Sequence, residues 1–405
     1  MLIEPVLLPI YAVGILLCLY MAWNLGANDA ANPTECAVGA GVISMRRAVI
    51  LFAVFAALGG ILLGPFVMKT IDRGIVLMGE LPDRTVILGS FTSILAAGTF
   101  VALCTWKGMP TSTTHSIIGG VLGFGLIASP PLMNWDKVSI IFASLAVSPI
   151  LSMFMASSLF KAFRWYFGRP RRERTHLAMN SFVIFALCFA TLLTICQKVL
   201  KLLLYEAIGV ALTGAVIVSL ISIFWLQRYR KGMEGTIGNL LIVALAFSAF
   251  AFGGNDMANA TGVFVTATGR IVGTPPLETM FILSALGAVF IAIGGFTWGY
   301  RVINTAAFKV TRIDPITGLA AEYSNALTIF AFTVIPKYLI GFGIPISTTH
   351  SSVGSIMGAG LARWGRAGLS KRVVGKILLT WSLTIPCTAL LSMAFFGFSN
   401  LLIPA

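Results

Sequence analysis

Charged side chains are scarce in this sequence, since Asp, Glu, Lys and Arg together make up only 10% of its 405 residues. A soluble domain carries about 25% charged residues, so a chain that is 58% hydrophobic is not expected to be a soluble enzyme or binding domain. Apolar runs close to the roughly 20 residues that cross a bilayer recur along the whole chain, as in 48–67, 86–106 and 138–160. The sequence therefore predicts an all-α polytopic membrane protein.

Cysteine pairs with metal-binding or redox spacing are also missing. The six cysteines lie in apolar stretches, and none of them forms a CxxC motif. They are typical of small core residues and predict neither a disulfide framework nor a bound cofactor. The net charge of +14 predicts no nucleic-acid partner, because Lys and Arg collect in the cytoplasmic loops of membrane proteins.

The distribution of these basic residues predicts an orientation. Ten long apolar runs and two shorter segments, 112–129 and 346–361, give about 12 membrane segments. If the N-terminus lies outside, most of the 28 Lys and Arg residues fall inside or at the inner edge, including those of the loop 168–176. We therefore expect both termini to lie outside.

Two polar motifs occur twice each in this apolar chain. GANDAAN at 26–32 recurs as GGNDMAN at 253–259. GMPTSTTHS at 108–116 recurs as GIPISTTHS at 343–351. Polar residues within apolar segments are expensive in a membrane, so their recurrence indicates a shared role in two related halves.

The motifs divide the chain into two repeats, 1–160 and 235–405, separated by a basic loop and two connecting helices at 161–234. Five membrane segments in the first repeat and two connecting helices make an odd number, so the second repeat is expected to run through the membrane in the opposite direction. Inverted-topology repeats of this kind are typical of secondary transporters.

Each NDxxN motif places an aspartate and two asparagines at the end of an apolar run. An ionised Asp inside a membrane is costly unless it meets a cation, a proton or water. Gly26, Gly253 and Pro33 are expected to break the helices, and free backbone carbonyls beside Asp29 and Asp256 would then suit Na⁺. The alternative is that these side chains cap helices or bond between helices.

Each STTH motif follows a helix-stopping proline, Pro110 or Pro345, and is predicted to begin a helix. A helix N-terminus favours an anion, and three successive hydroxyls add donors. A simple cap needs only one hydroxyl, so two copies of the motif predict two halves of one anion site near the midplane. His115 and His350 are interpreted as neutral side chains that bond to helix neighbours, with proton carriage as the alternative.

Lys and Arg are absent from the stretches that hold the motifs, 5–45, 108–130, 232–269 and 338–362. The charge of an anion bound there must be offset within a low-dielectric site. Co-binding of Na⁺ or H⁺ is therefore predicted. Glu322, another acid within an apolar segment, is interpreted as a further cation ligand.

These four motifs, in this order, resemble the paired signatures G-A-N-D-x-A-N and G-x-P-x-S-T-T-H-S of the inorganic phosphate transporter (PiT) family. The resemblance spans nearly the whole chain and implies cation-coupled symport of inorganic phosphate by alternating access, with Na⁺ favoured over H⁺ and no enzymatic activity. It also implies a homodimer in the lipid bilayer and two re-entrant helical hairpins with STT at their tips. The short connecting loop resembles prokaryotic members, which implies the plasma (inner) membrane of a prokaryote.

The resemblance also implies two sets of ligands, carried over position by position. The phosphate ligands would be Ser112, Thr113, Thr114, Ser347, Thr348, Thr349, Asn28 and Asn255. The sodium ligands would be Asp29, Asn32, Asp256 and Asn259, to which Glu322 is added from its place in the membrane. Pro33 and Glu35 depart from the small residues usual in the family after the first NDxxN motif, and Glu35 adds an acid there.

Three other functions stay open on the sequence. A sulfate symporter of the same family would use the same site, but phosphate carries a proton that it can donate to Asp29 or Asp256, and sulfate does not. An anion channel would line its pore with weak, repeated sites, whereas two inverted motifs favour one enclosed site. An intramembrane hydrolase would need a nucleophile and a base at suitable spacing, and no such pair stands out.

Overall fold

The structure, a computed structural model, describes residues 8–67, 74–169, 173–229, 232–271, 273, 275–333 and 346–402. These residues form α-helices joined by short loops and by single turns of 3₁₀ or π helix. The α-helices are α1 Leu8–Asp29, α2 Ala31–Gly39, α3 Met45–Val67, α4 Asp83–Trp106, α5 Thr113–Ala128, α6 Trp135–Phe167, α7 Glu173–Lys198, α8 Leu204–Tyr229, α9 Gly232–Ile271, α10 Leu277–Gly294, α11 Tyr300–Phe308, α12 Pro315–Thr333, α13 Thr348–Trp364 and α14 Lys371–Leu402.

Nine spans among the described residues are long and apolar enough to cross a membrane. α1 and α2 form one of them, Pro9–Gly39, and α10 and α11 form another, Leu277–Phe308. α5 is apolar but has only 16 residues, and its length of about 24 Å is less than the roughly 30 Å hydrocarbon core. The chain is therefore an all-helical, multi-pass membrane protein, while the larger number of segments stays a prediction.

Burial separates the helices that surround the centre from those at the periphery. In the apolar stretch of α8 only 17% of the residues are buried, against 61% in α9. Leu220 and Phe224 on α8 are 60% and 72% exposed, as expected for side chains that meet lipid. α9 carries the second NDxxN motif, so that motif lies in the packed interior.

Glycines bring the two NDxxN helices into backbone contact with helices of the other repeat. A Cβ at Gly26 on α1 would lie 1.8 Å from the carbonyl oxygen of Ile291 on α10. A Cβ at Gly253 on α9 would lie 1.9 Å from the carbonyl oxygen of Ala56 on α3. Small residues allow this close approach of membrane helices, so both motifs are held by the same kind of contact.

The two STTH helices pack in a corresponding way. α5 lies against α14, where a Cβ at Gly123 would come within 2.2 Å of the carbonyl oxygen of Ala389. α13 lies against α6, where a Cβ at Gly358 would come within 2.1 Å of the carbonyl oxygen of Met153. Each of these helices therefore packs against the last helix of the other repeat.

The expected helix breaks at the NDxxN motifs are only partly present. In the first motif α1 ends at Asp29 and α2 begins at Ala31, but Ala30 keeps helical angles, φ −56° and ψ −23°. In the second motif α9 runs from Gly232 to Ile271 without interruption, so the prediction of a broken helix there is wrong. The glycine of the second motif permits close packing rather than unwinding, so a cation at that motif would be held by side-chain oxygens.

Candidate functional site

The two STTH motifs adopt the same local structure. Ser112 and Ser347 are the N-cap residues of α5 and α13, and each accepts a hydrogen bond from the backbone N–H of the following histidine at 3.1 Å. Each STTH motif therefore begins a helix, as predicted, with its serine as the cap. Pro345, expected to stop the helix before the second motif, lies outside the described residues.

The two motifs meet in the interior of the protein. The rings of His115 and His350 are in edge contact, with centroids 4.4 Å apart, and His350 stacks on Trp381 of α14 at 3.9 Å. The Trp381 indole N–H donates to the carbonyl oxygen of Pro110 at 3.2 Å. The histidines therefore lie at the contact between the two helix starts, and the threonines beside them belong to one cluster.

Asp29 connects the hydroxyl groups of the two motifs. Thr113 Oγ1 donates to Asp29 Oδ2 at 2.8 Å, and Thr349 Oγ1 donates to Asp29 Oδ1 at 3.2 Å. All three side chains are at least 97% buried. One carboxylate thus accepts hydrogen bonds from both STT motifs, which are 235 residues apart in the sequence.

The last asparagine of each NDxxN motif reaches the STT motif of the other repeat. Asn32 Nδ2 lies 3.2 Å from Thr349 Oγ1 and 3.4 Å from Thr348 Oγ1. Asn259 Nδ2 lies 3.4 Å from Thr114 Oγ1 and 2.6 Å from Asp256 Oδ1. The four motifs that the sequence singled out therefore form one connected set of polar side chains.

Asn28 and Asn255 occupy matching positions in the motifs but differ in their surroundings. The Asn28 amide group donates to Thr105 Oγ1 at 2.7 Å and to the Met109 carbonyl at 3.3 Å, and its oxygen accepts from the Thr111 N–H at 3.1 Å. Asn28 thus holds the loop before α5. Asn255 is exposed and lines a cavity.

This cavity has a volume of about 220 Å³ and lies between α2, α7, α9, α12 and α13. Its polar lining residues include Asn32, Asn255, Asp256, Glu322 and Thr348. A single water needs only about 10–15 Å³ of such volume, so the cavity has room for a small hydrated ion. Residues predicted as phosphate ligands and residues predicted as sodium ligands therefore share one wall.

Glu322 lies on the cavity wall and bonds to residues outside the four motifs. Its Oε1 atom accepts from Ser248 Oγ at 2.7 Å, and the Cys36 thiol also donates to its carboxylate. Glu35 accepts a hydrogen bond from Ser352, whose hydroxyl also lies 3.3 Å from the Asn32 carbonyl oxygen. Both glutamates are at least 98% buried. Glu35 is therefore an additional buried acid three residues after the end of the first NDxxN motif.

Sequence reasoning missed the polar neighbours Thr105, Ser248 and Ser352. Thr105 and Ser248 are single hydroxyls within apolar helices, and Ser352 directly follows the second STTHS sequence. Hydroxyls in helices can bond to the carbonyl four residues earlier, as Thr105 also does to Val101. Their contacts to Asn28, Glu322 and Glu35 join distant parts of the chain. No local pattern identifies such contacts.

The electrostatics of the cluster follow from its composition. Asp29 and Asp256 lie close enough for their charges to repel each other. Both ion pairs between described side chains, Arg270–Asp83 and Arg363–Asp314, lie at helix ends. Two buried carboxylates beside amide and hydroxyl oxygens suit a hard cation such as Na⁺, and the threonine hydroxyls and helix N-termini suit an anion.

Comparisons with known proteins agree with this chemistry. A protein of Thermococcus kodakarensis named "Putative phosphate permease TK2061" is 35% identical over 392 residues, which cover 93% of this chain and 94% of that protein. "Inorganic phosphate transporter 2-1, chloroplastic" of Arabidopsis thaliana is 29% identical, with 93% and 70% covered. A solved structure, "The sodium-dependent phosphate transporter", matches with a TM-score of 0.85 and 28% identity over 98% of this chain and all of that one.

The model of the phosphate transporter family matches residues 25–392, which include all four motifs. The family and these relatives are transporters, so the prediction that the chain is not an enzyme is confirmed. On its motifs, its fold and its relatives, this chain belongs to the phosphate transporter family.

Proposed function

We propose that the protein takes up inorganic phosphate by Na⁺-coupled symport. The observation that carries the proposal is the position of Asp29, whose two carboxylate oxygens lie against threonine hydroxyls from both STT motifs. An anion between those hydroxyls would be adjacent to a carboxylate, which is unfavourable unless a cation binds with it. Cation binding and anion binding at this cluster are therefore coupled by electrostatics.

The anion would be held by the STT residues of α5 and α13. The two helix N-termini direct backbone N–H groups towards it, and Ser112, Thr113, Thr114, Ser347, Thr348 and Thr349 surround it. Asn255 on the cavity wall can contact an entering anion, whereas Asn28 acts by holding the loop before α5. The Na⁺ ions would use oxygens of Asp29, Asn32, Asp256 and Asn259, with Glu322 as a further ligand on the cavity wall.

Alternating access would use two inverted repeats, 1–160 and 235–405, joined through 161–234. The packing of α1 on α10, α9 on α3, α5 on α14 and α13 on α6 supports this proposal, because every pair joins one repeat to the other. The short α5 supports a re-entrant hairpin, since it does not reach across the membrane. We also propose that both termini lie outside and that the protein forms a homodimer in the plasma membrane.

Uptake of labelled phosphate into proteoliposomes tests the proposal. We expect uptake to rise with an inward Na⁺ gradient and to respond less to an inward H⁺ gradient. Phosphate, but not sulfate, should compete with the label. Uptake that is indifferent to both gradients would indicate a channel, and faster uptake of sulfate than of phosphate would indicate a sulfate symporter.

Cysteine labelling tests the orientation separately. A single cysteine in 168–176 should react only with a reagent applied from the inside. Reaction with a reagent applied from the outside would contradict the proposed orientation but would not affect the proposal that phosphate is the substrate.

A further inference from the structure

The hydrogen bonds of Thr113 and Thr349 assign a direction to their hydroxyl protons. A hydroxyl group has a single hydrogen to donate, and an ionised carboxylate can only accept. Thr349 Oγ1 already receives a hydrogen bond from Asn32 Nδ2 at 3.2 Å, so its own hydrogen is directed to Asp29. Thr113 likewise donates to the other oxygen of Asp29.

These same two hydrogens are needed by a phosphate bound between the helix starts. Phosphate oxygens require donors, and the stretches around the motifs contain no Lys or Arg. A hydroxyl that donates to Asp29 cannot donate to phosphate at the same time. Asp29 and phosphate therefore compete for the hydrogens of Thr113 and Thr349.

A sodium ion at Asp29 would reverse the direction of both hydroxyls. A cation attracts the hydroxyl oxygen and repels the hydroxyl hydrogen, so each hydroxyl would rotate its oxygen towards the ion. Rotation of a hydroxyl group needs no backbone movement. Its hydrogen would then point away from the carboxylate and become available to the anion.

We propose that Thr113 and Thr349 are the coupling residues of this transporter, whose hydroxyls donate to Asp29 before Na⁺ binds and to phosphate afterwards. The inference rests on the proposed Na⁺-coupled phosphate symport and explains how one ion raises the affinity for the other. Because coupling between two ligands is reciprocal, phosphate must also raise the affinity for Na⁺ by the same factor.

The chain contains matched controls within the same motifs. Thr348 Oγ1 accepts from Asn32 and lines the cavity, and Thr114 Oγ1 accepts from Asn259. Neither contact is with Asp29. Their hydroxyls can therefore bind phosphate without taking part in the exchange of donors.

The coupling can be measured by equilibrium binding of labelled phosphate to the purified full-length protein in Na⁺ and in choline. It is expressed as the dissociation constant in choline divided by the dissociation constant in Na⁺. For the unchanged protein we expect a ratio within the usual range of about 5–150. Thr113→Val and Thr349→Val should each lower the ratio by at least about threefold, and Thr→Ser at either position should restore it, because serine keeps the hydroxyl. Thr114→Val and Thr348→Val should weaken phosphate binding in both media and leave the ratio unchanged.

A different result would overturn the inference. If the valine variants at 113 and 349 weaken binding but keep the full ratio, their hydroxyls are plain phosphate ligands and the coupling is carried by charge alone. If no variant and no medium gives phosphate binding, the proposed function fails instead. The two failures are thus distinguishable.

Infrared difference spectra provide a second measurement that does not depend on the folding of the valine variants. Adding Na⁺ to the unchanged protein should shift a carboxylate stretching band that is missing in Asp29→Asn, because the carboxylate loses two hydrogen bonds and gains an ion. A Na⁺-induced spectrum identical in the two proteins would exclude the exchange of donors.

Discussion

The two NDxxN motifs have nearly the same sequence but lie in different surroundings. Asp29 is completely buried and accepts hydrogen bonds from both STT motifs, whereas Asp256 forms part of the cavity wall. Asn28 is bonded to the loop before α5, whereas Asn255 is exposed to the cavity. A repeated sequence therefore supplies two equivalent sets of side chains, and the neighbouring helices decide which set is enclosed and which is accessible.

The difference does not come from the packing of the motif helices themselves. α1 and α9 are each held by a glycine against a backbone of the opposite repeat at nearly the same separation. The cavity is lined by α7, one of the two connecting helices, together with α9 and α12. Among the described lining residues the first motif supplies Asn32 alone, whereas the second supplies both Asn255 and Asp256 beside α7, so the connecting segment borders the two motifs unequally.

The packing common to both motifs can be broken at either glycine, and this is the largest effect we expect. Gly26→Val or Gly253→Val would place a Cβ within 2 Å of a carbonyl oxygen and should destabilise the protein by more than about 3 kcal/mol. Gly209→Val is the control, since nothing lies within 4 Å of a Cβ there. Size-exclusion chromatography and thermal unfolding in detergent measure the effect, and a folded Gly26→Val protein with an unchanged melting temperature contradicts the close contact.

The two aspartates should differ in their contribution to transport. Asp29→Asn removes a charge that contacts both STT motifs and should lower Na⁺-driven phosphate uptake by about 100-fold, or about 2.7 kcal/mol. Asp256→Asn should have a smaller effect, about tenfold, because its amide can still accept the hydrogen bond from Asn259. Initial rates of phosphate uptake into proteoliposomes measure both effects. Equal losses of uptake in the two variants would contradict the proposed difference between the two halves.

Accessibility provides a sharper test of the same comparison. A cysteine in place of Asn255 should react with a small water-soluble thiol reagent at least about tenfold faster than a cysteine in place of Asn28. This ratio corresponds to a difference of about 1.4 kcal/mol in the free energy of exposing the thiol to the reagent. The reason is that Asn255 faces the cavity and Asn28 is buried. Mass spectrometry of the labelled protein gives both rates, with the buried native Cys36 as an internal reference. Equal rates would mean that the cavity does not reach the second motif.

The smallest effect concerns the end of the second motif helix. Arg270 at the end of α9 pairs with Asp83 at the start of α4 at 3.1 Å, and both side chains are partly exposed. Such a pair contributes about 0.2–1 kcal/mol. A double-mutant cycle of Arg270→Ala and Asp83→Ala, measured by thermal unfolding, should give a coupling free energy in that range. A value well above about 1 kcal/mol would contradict the expectation for an exposed ion pair.

Much of this protein could be predicted from local sequence. The apolar runs predict membrane helices because burial in lipid requires about 20 apolar residues. The STTH motif predicts a helix start because a serine cap and a following turn are local features, and Ser112 and Ser347 bear this out. The helix break expected in the second NDxxN motif was wrong, since a glycine that looks like a weak point in a sequence can instead be a site of close packing.

The sequence by itself thus determines the motifs, their duplication and the family. Each motif is a run of consecutive residues, so it can be recognised and compared without knowing which distant residues it contacts. The tertiary structure alone decided that Asp29 accepts from Thr113 and Thr349, that Asn28 holds a loop and that Asp256 faces a cavity. These contacts join residues as much as 320 positions apart. They depend on separations between helices of a few ångströms, and nearly identical motifs therefore meet different partners in the two halves.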